Sequence, residues 1–544
     1  MKKYNLLIIS LFVVLAVTAQ PEAVFDKIVK QYTWNRDGSM TFRYRKELKL
    51  NTHFAFNNLY GETFIVYNPE FQILKMNESY TKQADGTVIR TPDNAFNEVL
   101  PSFAADAPAY NHLREMVVTH TGLEIGATIC LDYTLTTHVG FYPFLDVAEQ
   151  LQEHSPVKDY QIEITLPEEE KLTYGLNALK GEPIVRRHHS MTTYAWHFQN
   201  IPAFPMESYT AGKASPMLFA SNAEGENGVA WLSAMKVDPE ACTSLVSKLL
   251  EGKQATDEKR SEILRYVVDE IATSQLPILL SAKIRPPAEV LQSAYGTPAE
   301  KATLLASMLM AAGLDAEIMM SFPSFATPIA VRAISDIRVK SGDHYLSPLR
   351  KDAPDPALRA RLDQFWQTGE NGVGLIQLDE KQMTLDYQAH IALNDTMANV
   401  NGTLINSEDA TAQADFSRQQ ALRPNNGYAL YTLPATDKGI DTWRLRLNST
   451  RTQPMELPCR IKEACSYTLT VDGWDIETRP FRKEISNPVG KISLTMHRED
   501  NRLIIRREIE LQKSIIEPNE YHAFRSLVLL WKNDAFRTLI LKKK

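Results

Sequence analysis

The chain has 544 residues, 44% hydrophobic and 23% charged, which excludes disorder and fibrous repeats. Lys plus Arg number 59 against 66 Asp plus Glu, a net charge of −7 that gives no electrostatic reason to expect a nucleic-acid partner. At roughly 100–200 residues per domain this is a multidomain chain with several cores and no need of disulfides to fold.

At the N-terminus, Lys2 and Lys3 precede an apolar run from Leu6 to Val17, and Thr18 and Ala19 supply a small-residue exit before Gln20. This pattern predicts a secretory signal peptide over residues 1–19, since the run falls short of the roughly 20 residues of a membrane span. An uncleaved anchor is the alternative reading. No later apolar run is long enough to cross a bilayer. The expectation is an exported protein, in the periplasm or at the cell surface, with no transmembrane span after signal removal.

Residues 20–215 read as β. Tyr160, Ile162, Ile164 and Leu166 alternate with polar neighbours, as do Phe42, Tyr44, Leu48 and Leu50, which is the period of half-buried strands. Asp85-Gly86 reads as a hairpin turn. Many short strands with such turns predict an N-terminal β-sandwich. Residues 216–350 change to α+β. Asp238-Pro239-Glu240 opens a helix with Cys242, Leu245, Val246 and Leu249 on one face, and a second carries Ile263, Leu264, Val267 and Ile271. A third runs from about Pro298 to Ala312, followed by strands around 316–320, 329–334 and 344–346. Residues 351–375 read as a Pro- and charge-rich linker. Residues 376–544 return to β alternation, a second expected sandwich, with turn signals at Asn401-Gly402 and Asp472-Gly473 and a late helix after Pro518.

The segment Arg285-Pro-Pro-Ala-Glu-Val-Leu-Gln-Ser-Ala-Tyr-Gly-Thr-Pro-Ala-Glu-Lys-Ala-Thr-Leu-Leu305 resembles the core of bacterial transglutaminase-like proteins, a papain-like fold. "ADGTVIRTP", "TGLEIGATICLDYTL" and "WHFQNIPAFPMES" resemble a β-domain of uncharacterised role that precedes this core in envelope proteins. The resemblance implies a Cys nucleophile at a helix N-terminus, where the helix dipole favours thiolate, a His base on the next strands and an orienting Asp. In this sequence the nucleophile position falls on Pro298, the His on Thr327 or Pro328, and the Asp on Ser347. The replacements make structural sense: Thr297, Pro298 and Glu300 spell a capping box with Pro at the first helical position. The expectation is a retained fold without acyl-transfer chemistry, acting as a binding or scaffold module for a peptide or an envelope protein through a groove at Tyr295, Gly296, Thr297 and Glu300. The rival is a cysteine-type peptidase or transglutaminase-like enzyme with a relocated nucleophile.

The other chemical candidates read as structure. Asp343-His344 is a polar turn, since neighbours in a strand point to opposite faces. Ser307 lies inside a helix, Ser293 has no base near it in sequence, and Cys130 and Cys242 sit in apolar patterns. Cys459 and Cys465 are a disulfide candidate, with two free thiols as the alternative. His188-His189 beside Arg186-Arg187 reads as a solvated strand end. Glu168-Glu169-Glu170 reads as a loop. Phe141, Tyr142, Phe144 and Leu145 read as packing between domains, with an exposed contact patch as the alternative. No metal site and no cofactor is expected.

Overall fold

The structure is a computed structural model that describes residues 20–223, 229, 234–280, 284–369, 372–406, 413–500 and 502–544. The expected signal peptide lies outside the described residues. The fold is rich in β-structure, with several sheets and three large hydrophobic cores.

The alternating residues of the first third build an eight-stranded sheet. Its order is Ile184–His188, Met191–Ile201, Val157–Pro167, Ala23–Trp34, Met40–Leu50, Thr128–Thr137, Gln72–Lys82 and Val88–Arg90. Strand Ala23–Trp34 pairs in parallel with Val157–Pro167, which draws the start of the chain into the middle of the sheet. Tyr160, Ile162, Ile164 and Leu166 are fully buried on one face, as their alternation predicts. Two three-stranded sheets lie beside it. One is Thr173–Asn177, Met217–Ser221 and Asp146–Gln150; the other is Glu62–Tyr67, Arg114–Thr119 and Phe96–Val99. The expected boundary at 215/216 therefore falls just before a strand that belongs to this first unit.

The central unit holds the helices Thr243–Leu249, Thr256–Asp269, Pro287–Ser293 and Pro298–Ala311. They pack on a five-stranded antiparallel sheet ordered His344–Leu346, Asp336–Ser341, Glu317–Pro323, Asp363–Gly369 and Gly372–Ile376. Two expectations are corrected here. The strand expected around 329–334 forms instead at Asp336–Ser341, because the chain from Ala330 runs into a 3-10 turn at Val331–Ala333. The linker expected over 351–375 supplies two strands, since Phe365 and Trp366 have buried positions to fill beside Glu317–Pro323.

The last third forms a seven-stranded sheet, with Met383–Leu393 and Ile461–Val471 paired in parallel at its centre. The late helix is Tyr521–Trp531, with Phe524, Leu527, Val528 and Trp531 buried against the sheet. Asn401-Gly402 is not a turn but lies within strand Met397–Asn406, where a Cβ on Gly402 would sit 2.1 Å from the Gln388 carbonyl oxygen. No helix among the described residues is long and apolar enough to cross a membrane.

Candidate functional site

The helix Pro298–Ala311 has a cavity at its N-terminal end, lined by Thr297, Pro298 and Ala299 among others. Thr297 caps it: the hydroxyl accepts from the Glu300 N–H at 3.3 Å, and the Glu300 carboxylate accepts from the Thr297 N–H at 2.9 Å. Pro298 takes the first helical position, where no intrahelical N–H bond is made in any case. The expected groove residues Tyr295, Gly296, Thr297 and Glu300 are all buried, and only Thr297 of these reaches the cavity wall.

Glu300 is a structural hub. It is 1% exposed and lies 3.0 Å from Arg285 Nη2 and 3.1 Å from its Nε, and it also accepts the Arg285 backbone N–H at 3.1 Å. Tyr110 donates its hydroxyl to the same carboxylate. The Arg285 guanidinium lies between the rings of Tyr295 and Tyr110, at 4.5 and 5.5 Å, and donates to the Tyr295 carbonyl at 2.7 Å. This cluster ties residues from the first unit to both sides of the helix start. Next to it Lys301 is buried, its ammonium donating to the Ile271 carbonyl at 2.6 Å and to the Thr273 hydroxyl at 2.9 Å. Burial pushes the Lys301 amine down to about 8, against an opposing pull from Asp269.

The cavity has a volume of about 620 Å³. Its lining comprises Gln275 to Leu280, Thr297 to Ala299, Val331, Arg332, Ile334 to Ile337 and Leu349, together with Val66 and Tyr142 of the first unit. A mostly apolar lining with a few polar groups is the usual character of a ligand site. Ser335 donates its hydroxyl to the Ser321 carbonyl at 3.0 Å. Asp336 faces Arg338 Nε at 2.6 Å and accepts the Ile337 N–H at 3.0 Å. Arg332 Nε donates to the Asp146 backbone carbonyl at 3.2 Å, and its guanidinium lies 5.8 Å from the centre of the Tyr142 ring.

Of the four positions carried over from the resemblance, the cavity brings in only Pro298. Thr327 and Pro328 lie away from it: the Thr327 carbonyl oxygen would be 2.0 Å from a Cβ on Gly175, so this loop is pressed onto strand Thr173–Asn177, and its neighbours Ala326 and Ala330 pack on Phe219. Ser347 is buried and accepts the Leu349 N–H at 3.3 Å. Ser335 and Asp336 line the same cavity as Pro298, and sequence reasoning missed them. The alternation of Ile337 and Val339 is the signal that points to them, since it places the strand start at Asp336; the competing apolar run Ile329-Ala-Val331 obscured it.

The remaining candidates are structural where the structure places them. Ser307 donates to the Thr303 carbonyl at 2.7 Å inside the helix, and Ser293 accepts from Arg285 Nη1 at 2.9 Å. His344 lies 3.9 Å from Asp257. Phe141 and Leu145 are buried, with Phe141 stacked on Phe71 at 5.1 Å. None of the four cysteines is in a disulfide, so the Cys459–Cys465 candidate gives way to its alternative of two thiols. Cys465 lies in the strand Ile461–Val471, so an extended backbone of roughly 3.3 Å per residue carries it away from Cys459, which rests 3.7 Å from the Met383 sulfur. No group of three or more metal-ligating side chains occurs among the described residues.

With the fold and cavity defined, comparison with known proteins gives a family. Residues 36–205 match the domain of unknown function DUF3857 and residues 428–541 the domain of unknown function DUF3858, both with solved structures. The crystal structure of a "putative protease" from Parabacteroides distasonis shares 36% identity, with 96% of this chain and 99% of that chain covered and a TM-score of 0.82. The chain belongs to the family of that Parabacteroides protein. An M1 zinc metallopeptidase from Deinococcus radiodurans (9% identity, 54% and 64% covered, TM-score 0.20) and a "putative cysteine protease" from Cytophaga hutchinsonii (8% identity, 71% and 91% covered, TM-score 0.17) superpose too poorly to carry an argument. No curated protein matches the sequence.

Proposed function

We propose that the central unit is a transglutaminase-like, papain-like core that has lost its acyl-transfer triad and binds peptide in the cavity at its helix start, within an exported envelope protein. The observation that carries this reading is the state of the cavity lining. Pro298 occupies the place where a thiolate gains from the helix dipole, and Pro has neither a thiol nor an N–H. The two aliphatic hydroxyls of the described lining are committed, Thr297 to the capping box and Ser335 to the Ser321 carbonyl. A Ser that donates its proton to a carbonyl oxygen has no base beside it to make it a nucleophile. In this reading the lost triad positions are Pro298, Thr327 or Pro328, and Ser347, of which only Pro298 lines the cavity. The core is flanked by β-sandwich domains, as residues 20–215 and 376–544 suggest, and extends to Ile376 because the last two strands complete its sheet.

The test is equilibrium binding of a fluorescent pool of short apolar peptides to the full chain and to Pro298→Trp, which adds bulk to the cavity lining. Binding without turnover that Pro298→Trp abolishes is the expected result; unchanged binding removes the cavity from the reading. The 36% identical relative described as a protease favours a second reading, a peptidase with a relocated nucleophile. Peptide cleavage lost on Ser335→Ala or Cys242→Ala selects it. Export is tested by the mature N-terminus, expected at or near Gln20, in an envelope fraction.

A further inference from the structure

Arg332 is the one cation among the described residues that line the cavity, and it forms a long ion pair with Asp146, 3.8 Å from its Nε. The two Asp146 oxygens also accept backbone N–H groups, from Val331 at 2.9 Å and Arg332 at 3.2 Å. The guanidinium is held by its Nε on the Asp146 carbonyl and lies beside the Tyr142 ring, so the side chain is oriented although it is 43% accessible. Asp336, the acid of the same lining, is matched by Arg338, which also donates to the Pro354 carbonyl at 2.5 Å. The cavity thus offers an oriented, partly exposed guanidinium, paired with Asp146 on its Nε side, in a lining that also holds Leu276, Ile278 and Ile334. A guanidinium fork matches the two oxygens of a carboxylate, and an apolar lining accepts an aliphatic or aromatic side chain.

Building on the peptide-binding reading, we infer that the cavity recognises peptides by a carboxylate held on Arg332, with the adjoining apolar side chain against the apolar lining. The carboxylate can come from the peptide C-terminus or from an acidic side chain, and the C-terminus is favoured because its residue carries both an anion and an apolar side chain, which suits a lining with one cation among mostly apolar residues.

The probes are N-terminally labelled Gly-Ala-Ala-Ala-X pools, with X as Leu, Phe or Val, as free acids and as C-terminal amides, and the amidated Gly-Ala-Glu-Ala-X pool. Binding to the full chain is read by fluorescence anisotropy. The expected result is at least tenfold tighter binding of the acid than of the amide, with Arg332→Met erasing the ratio and Arg332→Lys retaining part of it. Restored affinity of the Glu-containing amide assigns the carboxylate to a side chain and overturns the C-terminal preference. Equal binding of acid and amide to the unmodified chain overturns the inference while peptide binding stands, and no binding of any pool overturns both. The acid-to-amide ratio of the unmodified chain decides the matter even if Arg332→Met does not fold.

Discussion

Replacing Glu300 with Ala tests whether the helix start at the cavity depends on the buried cluster around it. The substitution removes the acceptor for Thr297 N–H, for the Arg285 side chain and backbone, and for the Tyr110 hydroxyl, all at once. Arg285 is 6% exposed and would keep its charge without a carboxylate. Breaking a buried ion pair on one side costs about 3–5 kcal/mol, and losing a cap about 1 kcal/mol; because these share one carboxylate, the expected total is about 4 kcal/mol. A chain with several cores does not melt in one step, so the assay is native-state hydrogen exchange read on the amides of the helix Pro298–Ala311. At about 1.4 kcal/mol per decade, exchange through the opening of this unit should speed up about a thousandfold. Glu300→Gln, which keeps the shape and the acceptor for Thr297, should fall between the two. Glu169→Ala, at an exposed pair with Arg36, serves as the control and should leave exchange unchanged. An acceleration under tenfold in Glu300→Ala would refute the idea that this cluster holds the helix start.

Three further outcomes are expected. Gly175→Ala places a Cβ 2.0 Å from the Thr327 carbonyl oxygen and should destabilise the contact between the first and central units by about 1–3 kcal/mol, measured as a lower urea midpoint and faster proteolysis near residue 327. Burial pushes the Glu463 carboxyl up to about 7, opposed by the Ile440 N–H. Its folded value lies above the unfolded value of about 4.3, so its contribution to stability is complete below that pH and is lost as pH rises through 7. Urea titrations from pH 4 to 8 should show this slope, on the order of 3–4 kcal/mol, and Glu463→Gln should flatten it. Burial raises the thiols of Cys242 and Cys465, to about 11 and about 12, so iodoacetamide at pH 8 should modify at most Cys130 in the native chain and all four cysteines in denaturant; a mass shift of 2 Da on oxidation, from Cys459 pairing with Cys465, would contradict the geometry.

Features that are local in sequence were legible, and features that depend on distant partners were not. The capping box Thr297–Glu300 and the helix behind it could be read because the signal lies within four residues. Alternation located Val157–Pro167 and Met383–Leu393 because one face of each is buried. Asp363–Gly369 went unrecognised because it follows a Pro- and charge-rich stretch, and its partner Glu317–Pro323 is about 45 residues upstream. Glu300 was legible as a capping residue but not as the partner of Arg285 and Tyr110, since Tyr110 arrives from 190 residues away. The cavity itself is assembled from segments near 66, 142, 275, 298 and 335, and no local pattern announces such a meeting.

The placement of Asp363–Gly369 and Gly372–Ile376 has a practical side. Cutting the chain at residue 350, where composition suggests a natural break, would leave Glu317–Pro323 with one flank of backbone donors and acceptors bare. A strand stripped in this way recruits whatever strand comes next, usually from another molecule. A fragment ending at 350 is expected to aggregate, whereas one carried past Ile376 keeps its own edge covered.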